Sequence, residues 1–79
     1  RYDAVIALAR FNCEERPEDF EAERRLAVAY EQAGRWSEAV ATWERCLATA
    51  KAHGTPEELA RILPRLEARL AAARKQIQN

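Results

Sequence analysis

The sequence predicts an all-α protein built of antiparallel helical hairpins, and three observations carry that expectation. Apolar residues recur at helical intervals along most of the chain. The series Leu26, Ala27, Tyr30, Gly34, Trp36, Ala39, Trp43, Cys46 alternates bulk and gap in the order that two interlocking helices joined by a tight turn require. The composition is that of a helical protein: 48% hydrophobic residues, only two glycines in 79 residues, abundant alanine, leucine, arginine and glutamate, and no β-rich segment. A single domain of this length buries about 60–65% of its unfolded surface, so it should be marginally stable unless it packs on something else.

The first helix is expected from Tyr2 to Glu14. Shifting the chain by 34 residues lays Arg1-Tyr2 over Arg35-Trp36 and Val5-Ile6 over Ala39-Val40, so the chain is expected to open inside a repeated unit. A shift of 35 instead lays Ala4-Val5 over Ala39-Val40 and Leu8 over Trp43. The shorter register is preferred because it also gives Pro17 a place between two units. A second helix is expected from about Glu18 to Ala33. Pro17 would suit its opening turn, where the missing amide hydrogen would be unpaired anyway, and Glu18, Asp19 and Glu21 would complement the helix dipole. Phe20, Leu26, Ala27, Tyr30 and Ala33 should face neighbouring helices.

Gly34 should close that helix in the left-handed conformation that a residue without Cβ adopts freely. A third helix follows from Trp36 or Ser37 to Ala52, burying Ala39, Val40, Trp43, Cys46, Leu47 and Ala50. His53-Gly54 ends it. Thr55-Pro56-Glu57-Glu58 then opens a fourth helix with a capping threonine, a proline at the first helical position and a glutamate three residues past the cap. Leu59, Ile62, Leu63, Leu66, Leu70, Ala73 and Ile77 form its stripe, as far as about Gln76. Pro64 falls inside it, so a kink near Arg61 or two shorter helices are expected.

Counted from Leu26, an alanine follows at one, an aromatic at four, glycine at eight, alanine at thirteen, an aromatic at seventeen and a small residue at twenty. This order resembles the tetratricopeptide repeat, a helix-turn-helix unit of 34 residues. The resemblance spans about Arg1 to His53 and is strongest from Leu26 to Leu47. It implies a single repeat-type domain: residues 1–19 as the second helix of a partial repeat and its turn, 20–53 as one full repeat, and 54–79 as a C-terminal capping helix over the last apolar face. Arg61 and Pro64 stand where a further repeat would place alanine and tyrosine. Glu23 replaces the bulky aromatic often found early in the first helix, and Lys51 replaces the closing proline.

The resemblance also implies a binding scaffold for a protein or peptide partner. Its groove-lining places fall on Glu21, Arg24, Arg25, Val28, Glu31 and Gln32, where Arg24 and Arg25 would hold carboxylates. Family versions that clamp a C-terminal carboxylate use asparagine where this chain has Val28. The alternative is a structural element that holds an oligomer or larger complex together, favoured by an apolar edge of Tyr2, Val5, Ile6 and Leu8.

Other functions lack residues to perform them. No nucleophile motif, metalloprotease motif or glycine-rich phosphate loop occurs, so no enzymatic role, cofactor or metal site is expected. Cys13 and Cys46 lie 33 residues apart without a CxxC, and Cys46 fills a small-residue place where a buried thiol behaves as a small hydrophobe. His53, alone beside a helix end, suits the dipole or solvent. Arg61, Arg65 and Arg69 form a basic stripe, but 13 bases balance 13 acids and no aromatic flanks the stripe, which disfavours nucleic acid over a solvated face or an acidic protein surface. From Glu14 to Glu31 seven acids face three bases, whereas five bases and one acid follow Leu59, a polarity suited to head-to-tail self-association. No run reaches the roughly 20 apolar residues of a spanning helix. A soluble, cytoplasmic chain is the expectation, and Arg1 in place of an initiator methionine suggests a processed product or part of a longer polypeptide.

Overall fold

The computed structural model describes residues 1–78, and they form four α-helices: α1 Tyr2–Glu15, α2 Phe20–Gln32, α3 Trp36–His53 and α4 Pro56–Gln78. Each helix packs chiefly on its neighbour in sequence, α1 on α2, α2 on α3 and α3 on α4. Cross-helix partners run in opposite directions along the pairs: Phe20 and Glu31 of α2 meet Cys46 and Trp43 of α3, while Gly54 at the end of α3 lies against Leu59 early in α4 and Trp43, earlier in α3, meets Arg69, later in α4. The helices are therefore antiparallel hairpins in a row. The Cα positions fill a slab of 36 × 31 × 14 Å, thin enough that a single layer of side chains supplies most of the core.

The turns explain where the helices stop. The α2–α3 connection closes with the amide of Arg35 donating to Tyr30 O at 2.9 Å and that of Gly34 to Glu31 O at 3.0 Å, while Gly34 has φ of +74°. This is the two-bond closure of a helix C-terminus that needs a left-handed residue. Where such closures often add an apolar contact, Arg35 lays its guanidinium 5.3 Å from the centre of the Tyr30 ring. At the α3–α4 turn the expected reciprocal cap forms: the amide of Glu58 donates to Thr55 Oγ1 at 3.2 Å, and the amide of Thr55 donates to Glu58 Oε1 at 2.9 Å. Gly54 is needed there for room, since a Cβ would lie 2.7 Å from Ala50 O.

One local expectation is corrected, and one of two alternatives at Pro64, a pair of shorter helices, is not formed. Pro17 does not open α2; it lies in a turn in which the amide of Asp19 donates to Arg16 O at 3.0 Å, and α2 starts at Phe20. The reason is Asp19, whose carboxylate accepts from the amide of Glu21 at 3.0 Å and so sets the N-cap two residues beyond the proline. Pro64 does not divide the last helix, because α4 runs unbroken from Pro56 to Gln78. Apolar residues on both sides of the proline, Leu59, Ile62, Leu66 and Leu70, are held in the core or packed against it. Pro64 and Ala60, whose carbonyl loses its donor, both stand on the exposed side, where water can replace the missing bond.

The core centres on Trp43. It is fully buried, as are Cys46, Ala27, Ala39, Ala50 and Ala73, so alanines of three helices leave the space that one indole fills. Leu26, Tyr30, Leu66 and Leu70 complete it. Ile77, assigned to the α4 stripe, is instead 48% exposed, beyond the reach of α3.

Candidate functional site

The six positions drawn from the repeat resemblance stand in different surroundings. Arg24 hydrogen-bonds Glu21 one turn before it on the exposed face of α2. Arg25 turns toward α1, beside a small apolar cleft of about 190 Å³ between α1 and α2 that Val5, Leu8, Ala9 and Ala22 also line. Val28 packs half-buried on the core, and Gln32 is exposed at the end of α2. Glu31 has both oxygens engaged inside the molecule: Oε2 accepts from Trp43 Nε1 at 2.7 Å and Oε1 accepts from Arg69 Nη2 at 2.7 Å.

The basic stripe is divided by the same contact. Arg69 folds back so that its guanidinium lies over the Trp43 ring, 4.9 Å from its centre, and reaches Glu31. Arg61 and Arg65 are exposed and make no ion pair among the described residues. Arg74 reaches back to Glu44 of α3 at 2.8 Å. The positive end of the chain is thus partly spent on holding α4 against α2 and α3.

The outer face of α1 is the most apolar free surface. Tyr2, Val5, Leu8 and Phe11 are 42%, 50%, 63% and 55% exposed, and Ile6 is the one residue of α1 that is buried. The expected apolar edge therefore loses Ile6, which points into the core, and gains Phe11. Leu8 and Phe11 are three residues apart and Ala4 and Ala7 extend the same side, whereas Val5 turns toward the α2 cleft and Tyr2 stands on the other side of the helix.

A larger cleft, of about 410 Å³, opens between α1 and α3 across α2. Arg10 and Glu14 of α1, Glu23 and Leu26 of α2, and Thr42 and Arg45 of α3 are among its walls. Glu23 is buried, 8% exposed, and its Oε1 has no hydrogen-bond partner among the described residues. Oε2 has only Arg45 Nε at 3.7 Å, an ion pair too long for a hydrogen bond. Thr42 cannot serve, because its hydroxyl donates to Glu38 O at 2.7 Å. Glu23 thus floors the hollow with a carboxylate. The hollow was not legible in the sequence, because its volume depends on how α1 and α3 flank α2.

The thiols are quiet. Cys46 donates to Phe20 O at 3.3 Å, and burial pushes its pKa up to about 12, with Glu23 adding to the effect. Cys13, half-buried beside the cleft, is also raised, first by burial and then by Glu23. Among the described residues no three His, Cys, Asp or Glu side chains gather as a metal site, and no helix is long and apolar enough to cross a membrane. Comparisons with family models, with curated proteins and with solved structures find no match to this chain.

Proposed function

We propose that this chain is a protein–protein interaction module, a tetratricopeptide-type hairpin array with a C-terminal cap, and that its working surface is the outer face of α1. One observation supports this reading above the rest: on one side of α1, Leu8 and Phe11 are 63% and 55% exposed, with exposed Ala4 and Ala7 beside them. Scattered apolar residues on a surface are ordinary, but a continuous face of this kind is a contact surface in search of a partner. The spacing of Ala4, Leu8 and Phe11 suits the apolar stripe of a partner helix, and Arg25 at the neighbouring cleft offers a charge to an acidic residue flanking that stripe. The face of α2 is the weaker candidate, since Glu21 and Arg24 are paired with each other and Glu31 is engaged in the fold.

A second reading, assembly with copies of itself, draws support from charge polarity. Acidic residues cluster from Glu14 to Glu31, and Arg61 and Arg65 stand unpaired on α4. Photo-crosslinking from position 8 separates the two, with exposed Ala48 on α3 as the control. A discrete heterologous adduct from position 8, absent from position 48, supports a partner protein. An adduct of twice the chain's mass, matched by a dimer in light scattering, supports self-assembly. No adduct from position 8 overturns the α1 assignment.

A further inference from the structure

Glu23 presents an acceptor that the fold leaves unused. A buried carboxylate oxygen without a donor is among the least favourable polar arrangements in a protein, and something outside the chain is needed to satisfy it. The nearest cation, Arg45, does not do so: its Nε is 3.7 Å from the other oxygen and its side chain is 59% exposed. We propose that the cleft between α1 and α3 receives the guanidinium group of an arginine side chain carried by a partner protein, with Glu23 Oε1 as the anchoring acceptor.

Hydrogen bonding and shape together select this ligand. The wall carries three carboxylates, Glu14, Glu23 and Glu38, against two guanidiniums, Arg10 and Arg45. Glu38 is already held by Arg35 through two hydrogen bonds of 2.6 Å, so the remaining wall charges, Glu14 and Glu23 against Arg10 and Arg45, balance, and the preference for a donor rests on the buried Oε1 of Glu23. Glu23 Oε1 is an acceptor and calls for a donor group. The volume of about 410 Å³ admits a long side chain, and Leu26 and Tyr30 provide apolar wall for its methylene stem. Guanidinium is favoured over ammonium because it is less strongly hydrated and its planar fork can serve two acceptors at once. This site is separate from the α1 outer face, and its failure would leave that assignment standing.

The test is an amide-shift titration of the isotope-labelled chain with N-acetyl-arginine methylamide, its citrulline counterpart and its lysine counterpart. The expected result is a saturable shift confined to amides around Glu23, Leu26 and Thr42, weakened about tenfold or more for citrulline and in Glu23→Gln, with lysine weaker than arginine. Arg45→Ala, which keeps Glu23 and removes the competing guanidinium, should bind the arginine probe more tightly, and it provides the answer if Glu23→Gln does not fold. Absence of a localised saturable shift, equal binding of citrulline, or weaker binding by a folded Arg45→Ala variant overturns the proposal.

Discussion

The carboxylate of Glu31 accepts the indole N–H of Trp43 at 2.7 Å, from one helix to the next. Trp43 is fully buried, and an indole N–H in that position requires an acceptor. The second oxygen of Glu31 accepts from Arg69 at 2.7 Å, and Arg69 in turn covers the indole face. Three helices are thereby tied at one residue. Replacing Glu31 with alanine orphans both donors and should cost about 1–3 kcal/mol, whereas Glu31→Gln keeps an acceptor for Trp43 and should cost less. Urea unfolding followed by circular dichroism reads the difference, and equal stability of both variants with the parent chain would remove Glu31 from this role.

The two glycines should fail differently on substitution by alanine. Gly34→Ala forces a Cβ into a φ of +74° with open space around it, a backbone strain of about 1–2 kcal/mol that asparagine should partly relieve. Gly54→Ala meets the Ala50 carbonyl oxygen at 2.7 Å and Leu59 Cδ2 at 3.1 Å, so the α3–α4 turn itself must move. Thermal melting of Gly34→Asn, Gly34→Ala and Gly54→Ala should rank them in that order of decreasing stability.

The Thr55 cap is local and should respond as such. Thr55→Ala removes the acceptor for the Glu58 amide and should lower stability by about 1 kcal/mol, with Thr55→Ser close to the parent. Hydrogen exchange of the first α4 amides should accelerate in the alanine variant only.

Pro64 sits in an unbroken helix on its exposed side, so its replacement restores a hydrogen bond to the Ala60 carbonyl without disturbing the core. Pro64→Ala should stabilise the chain, by at most about 3 kcal/mol. A melting temperature that falls instead would mean that the proline shapes the packing of α4.

Cys46 gives the chain an alkaline limit. Its thiol, buried and pushed from 9.0 to about 12, stays protonated in the fold while the unfolded chain loses the proton above its ordinary value. The folded value is the raised one, so the contribution is complete below about pH 9 and is lost as pH rises toward 12. Denaturant midpoints should fall across that range in the parent chain and fall less in Cys46→Ala, and a thiol reagent should modify Cys46 only on unfolding.

Most of the helices could be read from local chemistry. Spacing of Leu26, Tyr30, Ala39, Trp43 and Cys46, the capping pair Thr55 and Glu58, and the lone glycine at position 34 act within a turn or two of chain, and the structure repeats them. Pro17 misled because a proline's preference is local, while Asp19 captured the helix start; at Pro64 the apolar face of α4 carried the helix past the missing bond. The candidate site was less legible. Glu31 was named as a groove residue only through the repeat resemblance; the approach of α3 and α4 makes it the acceptor for Trp43 and Arg69. The hollow at Glu23 likewise exists only where α1 and α3 stand on either side of α2. Periodicity along a chain dictates which side of a helix is apolar, but which partner meets a given polar group depends on distances between helices, and those come into being only when the helices pack.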